Sequence, residues 1–142
     1  MFVLKHQDDD IKFEFNKGGF VVLNSKLYIS IETKSFDEED FPDSFLFAID
    51  GFCLDGELED SVISISTNPN DESPNVYVYS SFHANEVVAK VLVKVLSSDE
   101  INVELDVISD DVHYYNEKAK PNSFIGSINL ERKSLDKLWM PV

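Results

Sequence analysis

The sequence contains few of the features that mark secreted, membrane-spanning or disulfide-stabilised proteins. Cys53 is its only cysteine, so an intrachain disulfide is excluded and a reducing compartment is favoured. No apolar run approaches the roughly 20 residues that a membrane-spanning helix requires. The first residues of the chain lack the charged and apolar regions of a secretion signal. We therefore expect a cytoplasmic protein that does not enter membranes.

Positive charge is also scarce. The 142 residues include 12 Lys and Arg against 27 Asp and Glu, which gives a formal net charge of −15. Binding to nucleic acid normally needs a basic surface that displaces phosphate counterions, and docking on anionic lipid has the same requirement. The composition therefore predicts a protein that binds neither nucleic acid nor membrane and whose partners are cationic.

Apolar residues are plentiful enough for a folded core. Hydrophobic residues make up 43% of the chain, which excludes a disordered chain and supports a single domain over residues 1–142. Apolar and polar residues alternate with a period of two, which predicts strands at residues 11–15, 20–23, 27–32, 61–67, 75–82, 87–96, 100–108 and 123–130. We expect a mainly β fold, an antiparallel β-sandwich or a strongly bent sheet with one or two short helices.

The sixth and seventh of these strands form the clearest hairpin. If Val95 lies opposite Ile101, then Lys90 lies opposite Asp106 and the apolar side chains of both strands share one face. A shift of the register by one residue would turn one apolar set toward solvent. The sequence therefore predicts this register for the hairpin.

The sequence pattern indicates turns and helices less clearly than it indicates strands. Residues 16–19, Asn-Lys-Gly-Gly, have the composition of a turn, and residues 37–47 and 134–140 are candidates for short helices. Val88 and Leu92 fall on the face of their strand opposite the main apolar set. We therefore expect part of that strand to be covered on both sides.

Residues 35–89 contain thirteen acids and no Lys or Arg. Such a block of one sign repels itself, and it serves either to keep the surface solvated or to attract a basic partner. The acids are interleaved with aromatic residues that belong either to an interface or to the core, namely Phe36, Phe41, Phe45, Phe47 and Phe52. We predict that exposed aromatic side chains and the following acids bind the partner: Asp37, Glu38, Glu39, Asp40, Asp55, Glu57, Glu59, Asp60, Asp71 and Glu72.

The sequence offers little that indicates metal binding or catalysis. Residues 49–60 carry several carboxylates and two glycines, a composition that suits calcium, but without the spacing of a helix-loop-helix calcium loop. His6, His83 and His113 are scattered, and one cysteine cannot form a paired-thiolate zinc site. The chain has no Gly-x-Ser-x-Gly element, phosphate-binding loop or dinucleotide fingerprint. We therefore expect a protein that is not an enzyme and has no cofactor or specific metal.

Length, charge and strand content together resemble a known class of protein. The acidic segment 35–89 leads into a β-rich run from Tyr77-Val78-Tyr79 to Phe124-Ile125-Gly126-Ser127-Ile128-Asn129-Leu130, and Leu138-Trp139-Met140-Pro141 lie near the end. This pattern resembles the small acidic immunity proteins that bacteria encode beside polymorphic and contact-dependent growth-inhibition toxins.

The resemblance implies a protein that binds one cognate toxin domain tightly and blocks its active site or another essential surface. Many such toxins are nucleases with basic clefts, which an acidic protein fills by imitating phosphate charge. Immunity proteins share this role across many folds, so the resemblance assigns no individual site residue. Two alternatives stay open: a calcium- or ligand-binding β-sandwich module, and a nucleic-acid-mimicking inhibitor of a host-defence or restriction enzyme.

Overall fold

The structure is a computed structural model that describes residues 1–6, 9–37, 42–67, 75–80, 83–110 and 121–141. These residues form nine strands and one short 3-10 helix. The strands are β1 (Phe2–His6), β2 (Asp9–Leu23), β3 (Lys26–Ser35), β4 (Ser44–Cys53), β5 (Ser61–Ser66), β6 (Val76–Tyr79), β7 (Val87–Val95), β8 (Glu100–Ser109) and β9 (Asn122–Glu131). Within the described ranges, no helix has the length and apolar character needed to cross a membrane.

All nine strands belong to one sheet in the order β5-β7-β8-β9-β1-β2-β3-β4-β6. Every neighbouring pair is antiparallel, and β5 and β6 occupy the two edges. The sheet bends until it is nearly closed, so that its inner face encloses the core. The prediction of a strongly bent antiparallel sheet is confirmed.

Aromatic side chains fill the centre of this core. Phe124 on β9 stacks on Phe2 of the neighbouring β1 and on Phe45 of β4, with ring centroids 5.2 and 4.2 Å away. The edge of Phe13 on β2 completes the cluster at 6.0 Å from the Phe124 centroid. All four rings are at most 1% exposed, so contacts across the interior hold the bent sheet together.

The β7–β8 hairpin has the register that the alternation of residues predicts. Val95 lies opposite Ile101 and Lys90 opposite Asp106. The shared apolar face of the two strands is turned toward the core, where Val91 is fully buried. Strands β5, β6 and β9 also begin and end within three residues of the predicted bounds.

The turn predicted at residues 16–19 is wrong, because β2 continues through them. Asn16 is instead the extra residue of a β-bulge, at which the register between β2 and β3 shifts. Gly18 has a φ of 150°, and a Cβ atom there would collide with the carbonyl oxygen of Ser30 on β3. The glycine, which had suggested a turn, therefore serves to let β2 and β3 approach each other closely.

The β2–β3 hairpin reverses direction at Asn24 and Ser25. Their φ angles are 53° and 61°, the left-handed pair that a two-residue type I′ turn requires. The carbonyl oxygen of Ser25 also accepts a hydrogen bond of 2.8 Å from the Leu54 N–H. This turn is thus fixed by a contact from the segment that follows β4.

The helix predicted over residues 37–47 is wrong at its C-terminal part, since β4 begins at Ser44 and pairs with β3. Residues 38–41 lie outside the described residues. Near the end of the chain, residues 134–140 contain the 3-10 helix at Leu135–Lys137. The Ser134 hydroxyl donates to the Asp136 carboxylate, and this hydrogen bond is the main cause that lowers the pKa of Asp136.

The segment after the 3-10 helix lies on the outer face of the sheet. Leu138 is buried, and the Trp139 N–H donates to the Ser30 hydroxyl at 3.1 Å. The Trp139 ring is half-buried, with its centroid 6.3 Å from that of Tyr79 on β6. Strands β3 and β6 are therefore covered from outside by the end of the chain.

Candidate functional site

Four of the acids predicted to bind a partner lie in the loop between β4 and β5. Both ends of this loop are anchored: the Leu54 N–H binds the Ser25 carbonyl, and an Asp60 carboxylate oxygen accepts from the Val95 N–H at 2.7 Å. The loop therefore holds its acids at a defined place. All four side chains are exposed, those of Asp55, Glu57, Glu59 and Asp60.

Further acids surround this loop, because the β7–β8 turn and the end of β9 lie at the same end of the sheet. The backbone N–H of Arg132 donates to the Asp99 carbonyl, and this hydrogen bond holds the end of β9 against the β7–β8 turn. The Arg132 guanidinium is itself engaged, 3.7 Å from an Asp99 carboxylate oxygen and 2.9 Å from the Ser98 carbonyl. We call the acids here the acidic end: Asp55, Glu57, Glu59, Asp60, Asp99, Glu100 and Glu131.

Asp37, the remaining predicted acid within the described residues, lies at the other end of β4. The ten residues of β4 separate it from the 54–60 loop, a distance of about 30 Å at the usual rise of an extended strand. Asp37 is exposed, and its carbonyl accepts a hydrogen bond from the Ser35 hydroxyl. The other predicted acids fall outside the described residues: Glu38, Glu39, Asp40, Asp71 and Glu72.

The structure thus brings Asp55, Glu57, Glu59 and Asp60 together and places Asp37 far from them. A standard protein interface covers about 800 Å² per partner, which for a circular area is a radius of about 16 Å. Such an interface, centred on one group of acids, does not reach the other. Which group contacts a partner stays a prediction.

The aromatic residues between these acids divide into two kinds. Phe45 and Phe47 on β4 are core residues, at most 1% exposed, and Phe52 is half-buried against the core. Phe36, after β3, is 52% exposed and is available to a partner at the Asp37 end. Phe41 lies outside the described residues. The acidic end therefore has no fully exposed Phe among its described residues.

An apolar surface appears on the outer face of strands β5 and β7–β9, where the sequence had indicated coverage. The prediction that Val88 and Leu92 are covered is wrong, since they are 59% and 38% exposed. Leu92 lies opposite Val62 of β5, and Val88 lies opposite Ile108 of β8. With Ile125 of β9 they form what we call the outer strip: Val62, Val88, Leu92, Ile108 and Ile125. The exposed Lys90 and Asp106 lie on the same face between the two apolar pairs.

Sequence reasoning missed the outer strip, although one signal was present. In β5 the side chains of Val62, Ser64 and Ser66 share one face, because alternate residues of a strand point the same way. The two serines indicate that this face is turned toward solvent. Leu92, the cross-strand neighbour of Val62, must then share that face. Predicting the exposure of Leu92 would have required the register between β5 and β7, and the sequence pattern alone does not define that register.

Among the described residues, no three His, Cys, Asp or Glu side chains lie close enough together to hold a metal ion. An open groove of about 680 Å³ beneath the end of the chain is lined by side chains of both charges and by Leu138 and Trp139. Its charged side chains are Lys17, Glu32, Lys133, Asp136 and Lys137.

Comparison with protein-family models, curated protein sequences and solved structures finds no match to this chain. Its function is therefore argued from its own surfaces.

Proposed function

We propose that this protein is an immunity protein: it binds a cognate toxin domain, most simply a nuclease domain with a basic cleft, and neutralises it without chemistry of its own. The observation that carries the proposal is the anchored β4–β5 loop, which presents four exposed carboxylates in a segment of 55 residues without Lys or Arg. A basic cleft is the complementary surface.

Electrostatic attraction suits the task of an immunity protein. The inhibitor must capture its toxin before damage occurs, and complementary charge raises association rates by about 10- to 1,000-fold. The formal net charge of −15 supplies a long-range field, and the acidic end places seven carboxylates at one end of the sheet. Carboxylates placed there occupy the positions that substrate phosphates take in a nuclease cleft.

The rigidity of the site favours tight binding. Because Leu54 binds Ser25 and Asp60 binds Val95, the loop is held to two hairpins of the sheet before any partner arrives. A partner then loses less binding free energy to ordering the loop. We expect the loop backbone to move little on association.

The direct test uses the protein encoded immediately upstream of this chain. Its C-terminal domain is produced alone and together with this chain, and cell growth, co-purification and nuclease activity are measured. Toxicity alone, rescue by this chain and a stable complex would support the proposal. Normal growth without this chain, or toxicity that this chain does not relieve, would contradict it.

The two alternatives predict other results. A calcium-binding module would show a rise in melting temperature with calcium and not with magnesium, because only a ligand of the folded state stabilises it. An inhibitor that imitates nucleic acid would bind a defence or restriction enzyme and leave the upstream protein unbound. A protein that rescues growth, is not stabilised by calcium and does not bind a defence or restriction enzyme fits the immunity function.

A further inference from the structure

Strand β5 forms a sheet edge that no described residue covers. It pairs with β7 alone, whereas the other edge strand, β6, accepts a hydrogen bond from Ala84 at Val78 and forms a bridge between Tyr79 and His83. Natural edge strands usually carry Lys, Pro or a bulge that prevents pairing with another chain. β5 consists only of Ser, Val and Ile and pairs without a register shift.

The alternation of the ladder defines which backbone groups face this edge. The Thr67 N–H donates to the Val87 carbonyl at 2.9 Å, so the odd-numbered residues of β5 direct their N–H and C=O groups toward β7. Val62, Ser64 and Ser66 therefore direct theirs toward the open edge. Three residues thus offer both a donor and an acceptor to an added strand.

The outer strip begins at this same edge. Val62 of β5 is 58% exposed and lies beside Leu92, so these two side chains form an exposed apolar pair at the edge. Lys90 and Asp106 separate this pair from Val88 and Ile108 on the same face. Adjacent exposed apolar side chains are surface that a partner can cover. A strand added at β5 would lie directly beside Val62.

We propose that β5 binds an extended segment of the basic partner as an additional strand of the sheet, which rests on the proposed function in taking that partner to be cationic. Main-chain hydrogen bonds to Val62, Ser64 and Ser66 supply affinity, as in other cases of strand addition. Val62, the member of the outer strip on β5, packs against the outer-face side chains of the added strand.

Charge identifies the occupant as a basic segment. β5 begins directly after Asp60, so its first residue lies beside the four exposed acids of the loop. An antiparallel added strand ends at that point, and basic residues that follow it meet the acids. A second copy of this chain would instead bring two molecules of formal charge −15 together.

Hydrogen exchange in the free protein tests whether the edge is open. We expect the amides of Val62, Ser64 and Ser66 to exchange fast, and those of Ile63 and Ile65 to be protected by the ladder with β7. Equal protection of all five would mean that the edge is already covered, which overturns the proposal. Protection that appears only as protein concentration rises would assign the edge to a second copy and overturn it equally.

Synthetic peptides then test the occupant. The probe is a segment of alternating Thr and Val followed by two Lys residues, and the controls carry the two Lys at the N-terminus or two Glu at the C-terminus. We expect the first probe to bind about tenfold more tightly than either control, which corresponds to about 1.4 kcal/mol. Equal binding of all three, or protection of amides away from β5, would contradict the proposal.

A variant of the full chain separates this inference from the proposed function. Ser64→Pro removes an N–H that the ladder with β7 does not use, so the fold should persist, while Ser64→Ala retains that N–H as the matched control. We expect Ser64→Pro to weaken binding of the probe and of the upstream toxin domain by at least about tenfold, and Ser64→Ala to leave both unchanged.

The outcomes for the toxin domain distinguish the two ideas. If Ser64→Pro binds the domain as well as the unmodified chain, the partner docks elsewhere and the inference fails while the proposed function stands. If no toxin domain binds but the probe protects β5, the proposed function fails and the open edge stands. Should Ser64→Pro fold poorly, Val62→Lys blocks the same edge with a charge and serves as the second variant.

Discussion

The Phe45 and Phe124 rings stack with their centroids 4.2 Å apart, although three strands separate β4 from β9 in the sheet. The contact therefore crosses the interior of the bent sheet. Hydrogen bonds join only neighbouring strands, so they define the order of the sheet and leave its curvature free. Side-chain contacts of this kind determine how far the sheet closes.

Replacing Phe124 with Ala should lower the free energy of unfolding by about 3–5 kcal/mol, because it leaves a cavity between several aromatic rings. Urea unfolding followed by circular dichroism measures the change. The control is Phe36→Ala, since Phe36 is 52% exposed and its loss should change stability by less than about 0.5 kcal/mol. Similar values for the two variants would show that the stack does not hold the sheet closed.

The β2–β3 turn should become more stable when Ser25 is replaced with Gly. Ser25 has a φ of 61°, a conformation that costs an L-residue about 1 kcal/mol and costs glycine almost nothing. We expect the free energy of unfolding to rise by about 0.5–1 kcal/mol, measured by thermal and urea unfolding.

The same substitution elsewhere supplies the control. Ser98 lies in the β7–β8 turn and is absent from the residues with positive φ. Ser98→Gly should therefore lower stability by up to about 1 kcal/mol, because glycine gains freedom only in the unfolded chain. A decrease for both variants would mean that Ser25 is not strained in solution.

The parts of the fold that the sequence predicts correctly are those governed by local alternation. The register of Val95 with Ile101 follows from a short connection and two strands of matching period. Residues 16–19 were misread because glycine serves turns, bulges and close strand contacts alike. The true turn, at Asn24 and Ser25, lacks glycine and depends on neighbouring contacts.

The candidate site is predictable only as a set of residues. Asp37 and Asp55 are near in sequence, but β4 carries the chain about 30 Å between them, and only the pairing of β4 with β3 reveals this. The exposure of Leu92 likewise depends on its pairing with Val62 in a strand 30 positions earlier. Surfaces that combine residues of several strands depend on the order of the strands in the sheet, and the alternation of apolar and polar residues does not encode that order.

Stability should fall at alkaline pH because of Tyr77 on β6. Burial, and then the charge of Asp50, raises the pKa of Tyr77 above its ordinary value of 10.0. The folded protein therefore retains a proton that the unfolded chain releases, so the stabilisation is complete below pH 10.0 and is lost as pH rises through the raised value.

Tyr77→Phe removes this proton and should make the alkaline decrease in unfolding free energy shallower. Asp50→Asn is the informative companion, since it removes the second cause and leaves the burial, so the decrease should begin at the same pH as in the unmodified chain but end at a lower pH and be smaller in total. Urea unfolding from about pH 8 to about pH 12 measures both. An unchanged pH profile in Tyr77→Phe would show that other groups cause the decrease.

The acidic end should control the rate at which the partner associates. The variant Asp55→Asn, Glu57→Gln and Glu59→Gln removes three charges and keeps Asp60, whose carboxylate binds the Val95 N–H. We expect the association rate constant to fall about tenfold at low salt and to depend less on salt, because the charges steer the encounter. Stopped-flow fluorescence with the toxin domain measures this, with the single Trp of this chain as reporter.

The matched control removes three charges from Asp37 and the two residues that follow it in sequence: Asp37→Asn, Glu38→Gln and Glu39→Gln. Net charge changes equally in the two variants, so a general loss of attraction would slow both by the same factor. A larger effect at the acidic end would show that the partner approaches there, beside the open edge of β5. A larger effect of the Asp37 variant would move the docking surface to the β3–β4 connection, where Phe36 is exposed. Unfolding free energies within about 0.5 kcal/mol of the unmodified chain confirm that both variants report on association alone.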